Sequence, residues 1–144
     1  MKLVKHLLDS KGREIISIAE EASVLDAIKL MADRSIGSLL VMEGAELKGI
    51  VTERDYARKV IIKGRSSKST RVAEIMTRDV CTAKSEQTVN ECMKVMTNRR
   101  IRHLPVVEND EVLGMISIGD LVQAIIADQK EEIQQLGQYI SGQV

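Results

Sequence analysis

At 144 residues, with 44% apolar and 29% charged side chains, the chain has the make-up of a packed globular protein, and no apolar run approaches the ~20 residues that span a bilayer. Lysine plus arginine and aspartate plus glutamate both number 21, so no global positive field draws the chain to nucleic acid or an anionic membrane, and any bound anion must be held by a local cluster. Two tyrosines, with no phenylalanine or tryptophan, exclude the stacking platforms of single-strand nucleic-acid binders.

The first residues, MKLVKHLLDSKG, have neither an apolar stretch of signal-peptide length nor a small-residue cleavage pattern, so a cytoplasmic protein is expected. A β-rich run, IISI, precedes a hydroxyl and an acid three apart, Ser23 and Asp26, which mark a helix start. Val24, Ala27, Ile28 and Met31 then recur at helical spacing as a core face. Two strands follow in SLLVMEGAELKGIV, turning at Gly44, and a second helix places Tyr56, Ala57, Val60 and Ile61 on one face. KGRSSKST, Lys63 to Thr70, is polar throughout and reads as a linker, followed by a short apolar turn, VAEIMT.

The same order then returns. VCT is a short strand, Thr88 and Glu91 start a helix whose core face is Val89, Met93 and Met96, and HLPVVENDEVLGMI is a strand pair turning at Asn109-Asp110. The last helix puts Leu121, Val122, Ile125 and Ile126 on one face. Its spacing runs on through Ile133 and Leu136 to Gly137, read as a C-cap, with Tyr139 and Ile140 beyond; this tail either packs back or reaches another chain.

Sliding the sequence against itself by 65 residues aligns Glu21–Ile61 with Glu86–Ile126 without a gap, with Val24/Val89, Met31/Met96, Leu39/Leu104, Gly49/Gly114 and Asp55/Asp120 among the identities. Such a period means two copies of one supersecondary unit, here β-α-β-β-α. A unit of about 45 residues buries too little surface to be stable alone, so the copies share a core. The predicted class is α/β (α+β), with repeats at 10–62 and 71–128, a linker at 63–70 and a helical tail at 129–144.

Cys81 and Cys92 form no C-x-x-C pair and have no histidine at metal spacing, so neither a disulfide nor a metal site is expected. The chemistry sits instead where each repeat's last strand enters its last helix: GIVTERD, with Thr52 and Asp55, and GMISIGD, with Ser117 and Asp120. The simple reading of hydroxyl and acid is a capping box worth about 1 kcal/mol. Unpaired helix N–H groups beside a hydroxyl also suit a phosphate, and a carboxylate one turn on suits two sugar hydroxyls. Together they suggest a nucleotide's phosphate and ribose.

Two β-α-β-β-α copies, each ending in G-h-h-[ST]-x-x-D, with IRHLPVV opening the second strand pair, resemble the paired CBS domain, or Bateman module, over about residues 10 to 130. The resemblance implies a stand-alone regulatory sensor of adenine nucleotides such as AMP, ADP, ATP or NAD(H), with no required cofactor, acting on an unknown partner protein and associating as a homodimer. By position, Thr52 and Ser117 would contact phosphate and Asp55 and Asp120 ribose. The family's sites are crossed, so Thr52 and Asp55 would meet Val80, Cys81, Thr82, Arg102, His103 and Pro105, while Ser117 and Asp120 would meet Ile16, Ser17, Gly37, Ser38 and Leu40. Arg102 and His103, with Arg54 and Arg58 on the adjoining helix, would make the Asp55 pocket the tighter one for a phosphorylated ligand. His103, titrating near about 6.5, would raise AMP affinity as pH falls from about 7.5 to 6.

Other classes have thinner support. No G-x-G-x-x-G, G-x-x-x-x-G-K-[ST], H-E-x-x-H or nucleophile elbow is present, which leaves His103 as the one candidate base of a small hydrolase or transferase and no catalytic residue is expected. A nucleic-acid binder would have to rely on Lys63, Arg65, Lys68 and Arg71 in a neutral chain. Neither a nucleic-acid nor a membrane partner is expected.

Overall fold

The computed structural model describes residues 2–141. The chain divides into two compact units, one of Glu14–Cys81 with Asn109–Val112 and the other of Met1–Arg13, Thr82–Glu108 and Leu113–Val144. They are called the first-repeat and second-repeat units below.

The first-repeat unit holds β1 (Ser17–Ile18), α2 (Val24–Arg34), β2 (Ser38–Glu43), β3 (Glu46–Thr52), α3 (Glu53–Tyr56) with its π-helical continuation Ala57–Ile61, and α4 (Val72–Ile75). Its sheet order is β1-β2-β3, with β1 parallel and β3 antiparallel to β2. The two-residue turn at Gly44-Ala45 has positive φ only at Gly44 (59°), the pattern of a II′ hairpin. Ser23 Oγ accepts from Asp26 N at 3.1 Å, so α2 starts as its sequence predicts. Val24, Ala27, Met31, Leu39, Val41, Val51, Val60, Val72, Ile75 and Met76 form one buried cluster, each large side chain contributing about 1.5–3 kcal/mol by leaving water.

The second-repeat unit holds α1 (Val4–Lys11), α5 (Val89–Arg99), β4 (His103–Glu108), most of β5 (Glu111–Ser117) and α6 (Ile118–Ser141). Asn109 and Asp110 both take positive φ, 50° and 63°, which is the I′ turn their chemistry predicts. The expected strand at VCT is absent: the contact is a single parallel bridge, Ala83 to Val106, at the positions equivalent to Ile18 and Val41.

The structure extends the repeat beyond its 65-residue period. Val4 N bonds Gln87 O at 2.9 Å and Lys5 N bonds Ser85 O at 3.0 Å; Val72 N bonds Ala22 O at 2.8 Å and Ala73 N bonds Glu20 O at 2.9 Å. The acceptors are 65 apart, but the donors are 68 apart. Thus α1 and α4 are equivalent leading helices, and VAEIMT is not a mere turn. The linker is ordered as well, since Thr70 O accepts from Val24 N at 2.8 Å and Ser67 O from Leu25 N at 3.0 Å, which satisfies the start of α2.

Three expectations are corrected. Ile61 is 57% exposed, because the π-helical turn, with Ile62 N bonded to Ala57 O, widens the helix and leaves Val60 as its buried residue. Val122 and Ile126 are exposed, and Leu121 and Ala124 take the buried face. Gly137 caps nothing: α6 runs through it to Ser141, and Ile133, Leu136, Tyr139 and Ile140 are all exposed. Residues 142–144 of the expected tail lie outside the described residues.

Candidate functional site

Each candidate corner forms because a buried strand stops at a hydroxyl and the chain turns at once into a helix. In the first-repeat unit, Asp55 N donates to Thr52 Oγ1 at 3.1 Å and Thr52 N donates to Asp55 Oδ2 at 3.0 Å. In the second-repeat unit, Asp120 N donates to Ser117 Oγ at 3.2 Å and Ser117 N to Asp120 Oδ2 at 2.8 Å. Both are reciprocal capping boxes. The first residue after each hydroxyl is tied to its own strand pair, Glu53 N to Gly37 O at 3.0 Å and Ile118 N to Arg102 O at 2.8 Å.

The other two hydroxyl and acid pairs lie in the open, and they differ from the corners in that. Thr88 and Glu91 form an exposed capping box, and Ser23 takes only the Asp26 N–H, also exposed. By contrast the carboxyls of Asp55 and Asp120 are 13% and 22% exposed. A half-buried carboxylate needs partners to hold its charge, and each has an ammonium. Lys59 Nζ reaches Asp55 Oδ1 at 3.1 Å from one turn along the same helix and also donates to Ile75 O at 2.8 Å, at the end of α4. Lys11 Nζ, at the end of α1, donates to Asp120 Oδ2 at 2.5 Å. Sequence reasoning missed both lysines. Lys59 was available from the Asp55-x-x-x-Lys59 spacing on a helix, whereas Lys11 lies 109 residues from its partner.

The glycines before each hydroxyl have a definite use. A Cβ on Gly49 would lie 2.7 Å from Thr77 O and 3.0 Å from Met76 Sδ, and one on Gly114 would lie 2.8 Å from Leu8 Cδ2. The space beside each glycine is therefore filled by the chain itself, by Met76 and Thr77 just after α4 at Gly49 and by the Leu8 side chain of α1 at Gly114.

Among the other candidates, Ser38 is buried and pairs with Thr52 across β2 and β3, Ser17 pairs with Leu40, and Ile16 O accepts from Leu40 N at 3.3 Å. Arg54 and Arg58 are exposed and Cys81 is half-buried, all in the first-repeat unit. Thr82, Arg102, His103 and Pro105 belong to the second-repeat unit with Ser117 and Asp120, and Pro105 O accepts from Ala83 N at 2.8 Å.

Burial alone would raise the Asp120 carboxyl, but the Lys11 ammonium and the Ser117 N–H hold it below its usual range. Burial pushes the His103 imidazole below its ordinary value, the Lys11 and Arg102 charges add to this, and Asp120 opposes them. His103 therefore takes its proton in the free protein at lower pH than expected from sequence. In the linker, Arg65 is paired with Glu74, which spends one of the four cations of a nucleic-acid surface.

A doubled α+β unit, each copy with a leading helix and one half-buried polar corner, defines a tandem-repeat module. The chain belongs to the CBS-domain family, whose domain matches residues 5–62 and 72–127. CBS domain-containing protein CBSX3, mitochondrial, from Arabidopsis thaliana is 41% identical over 148 residues, covering 96% of this chain and 72% of that protein. A solved protein with CBS domains from Burkholderia ambifaria MC40-6 is 51% identical with a TM-score of 0.85, covering 89% of this chain and 96% of the other. The CBS domain pair of protein MJ0100, solved in complex with 5′-methylthioadenosine and S-adenosyl-L-methionine, is 27% identical with a TM-score of 0.78, covering 89% and 98%. Among the described residues no helix is long and apolar enough to cross a membrane, and no cluster of three or more His, Cys, Asp or Glu is placed to hold a metal ion.

Proposed function

We propose that the chain is a regulatory CBS pair that binds an adenine nucleotide and passes its occupancy to a partner protein, with no catalytic residue of its own. The observation that carries this reading is the pair of half-buried carboxylates at strand-to-helix corners, Asp55 and Asp120, each beside a hydroxyl and each matched by one ammonium. A capping box alone works equally well in the open, as Thr88 and Glu91 do, so burial and a cation at these two corners fit recognition of ribose hydroxyls and phosphate. The adenosine ligands of the MJ0100 pair support the same ligand class. AMP, ADP, ATP and NAD(H) are the proposed ligands.

The groupings that the resemblance implies, Cys81, Thr82, Arg102, His103 and Pro105 with one site and Ile16, Ser17 and Ser38 with the other, are part of the proposal, as are the repeat boundaries at 10–62 and 71–128. The proposed assembly is a homodimer, which the exposed Val122, Ile126, Ile133, Leu136 and Ile140 along α6 support by recurring at intervals of three, four and seven. Light scattering should give twice the 16.0 kDa of one chain. The proposed compartment is the cytoplasm, although the Arabidopsis relative is named mitochondrial.

The test is a thermal-shift and calorimetry panel of AMP, ADP, ATP, NAD and S-adenosylmethionine. At one hundred times the dissociation constant, linkage gives about 2.7 kcal/mol, a rise of roughly 5 to 10 °C. No shift with any member of the panel would end the sensor reading.

A further inference from the structure

The two corners obtain their ammonium differently. Lys59 sits on the same helix as Asp55, and its equivalent in the second repeat is Ala124. The second corner therefore has no cation at that position of its own helix, and Lys11 supplies one from α1. The bonding pattern differs too. Asp55 has its cap on Oδ2 and Lys59 on Oδ1, whereas Asp120 takes both its cap and Lys11 on Oδ2. A ligand hydroxyl meets Asp120 at Oδ1 first. Lys11 is 37% exposed, so its ammonium is within reach of a bound anion.

Resting on the nucleotide reading above, we propose that Lys11 belongs to the ligand site at Asp120 and makes it selective for 5′-phosphorylated adenosine, its ammonium passing from the carboxylate to the phosphate when ribose hydroxyls take Asp120. A solvent-accessible ion pair of this kind is weak and readily exchanged, and a phosphate offers the ammonium a stronger, charge-assisted bond than it loses. The consequence reaches α1. Leu8 of that helix packs on Gly114, and Lys11 is its last residue. A phosphorylated ligand keeps the end of α1 tied to the corner. A nucleoside takes the carboxylate, offers no anion in exchange and lets that end go, so α1 reports the phosphate.

The experiment is calorimetry of AMP and adenosine in an Asp55→Asn background, which leaves the Asp120 site to be read, with Lys11→Met, Lys11→Arg and, as a control on the same helix, Lys5→Met, whose partner is Glu86. The preference for AMP over adenosine should fall about tenfold in Lys11→Met, with the loss on the AMP side, and should persist in Lys11→Arg and Lys5→Met. Hydrogen exchange of residues 8–11 should quicken with adenosine and not with AMP. An unchanged preference in Lys11→Met, or the same exchange with both ligands, overturns the role of Lys11 and leaves the nucleotide reading standing. Failure of the unsubstituted protein to bind either AMP or adenosine overturns the role of Lys11, and the nucleotide reading falls with it only when ADP, ATP, NAD and S-adenosylmethionine fail as well.

Discussion

The corner at Asp55 is self-contained, and the corner at Asp120 is not. Thr52, Asp55 and Lys59 lie within eight consecutive residues, and Lys59 then reaches Ile75 O of the leading helix α4. Ser117 and Asp120 repeat the cap, but the ammonium comes from Lys11 on the leading helix α1. Both repeats thus tie acid to leading helix through one lysine, placed on opposite sides of the tie. The two repeats share one arrangement of charges but draw the lysine from different elements, so the same electrostatic tie can be made from either side.

The largest expected effect comes from loosening one leading helix. Leu8 is fully buried, so Leu8→Ala should destabilise the chain by about 2–5 kcal/mol, read from denaturant midpoints. A loss under about 1 kcal/mol would mean that α1 is not an integral part of its repeat. Next, the glycines should be unequal. A Cβ at Gly49 meets a backbone oxygen, Thr77 O, while one at Gly114 meets the far end of the flexible Leu8 side chain. Gly49→Ala should therefore cost about 2–3 kcal/mol and Gly114→Ala about 1 kcal/mol, and the reverse order would break the comparison.

A smaller effect follows from ionisation in the second-repeat unit. The folded-state pKa of His103 lies below its ordinary 6.5, so above that value the residue is neutral in both states and contributes nothing to pH dependence. As pH falls below about 6.5 the unfolded chain takes the proton first, and stability declines until the folded imidazole protonates too. Asp120, held below its ordinary 3.8, contributes stability above that value that is lost as pH falls through its folded pKa. His103→Gln should flatten the first decline and leave the second, as melting curves from pH 7 to pH 3 will show. The smallest effect is on the exposed Arg13–Asp9 pair, where Asp9→Asn should change stability by less than about 1 kcal/mol.

The period of 65, the strand pairs, both hairpin turns and the four hydroxyl starts were legible because each depends on local chemistry: periodicity, Asn-Asp or Gly at a tight turn, a hydroxyl three before an acid. The equivalence of α1 and α4 was hidden by three extra residues, since LVKHLL matches RVAEIM only at an offset of 68. Gly137 looked like a C-cap because glycine at a helix end is usual, yet nothing in the neighbouring residues stops the turn from continuing. Ile61 followed a regular helical count until a π-helical turn changed the count. The corners were legible as caps. Their burial and their lysines were not, because burial depends on what packs nearby and Lys11 arrives from the far end of the chain.

The central claim is that Asp55 and Asp120 recognise ribose as well as cap a helix. Titration calorimetry of AMP on the unsubstituted protein, Asp55→Asn and Asp120→Asn tests it most directly. Loss of a carboxylate that receives ligand hydroxyls should weaken binding at that corner by about 1.5–3 kcal/mol, beyond the roughly 1 kcal/mol of fold stability that a lost cap removes. AMP affinity unchanged in both variants, with stability reduced by about the amount of a lost cap, would return both corners to the simple role of starting a helix.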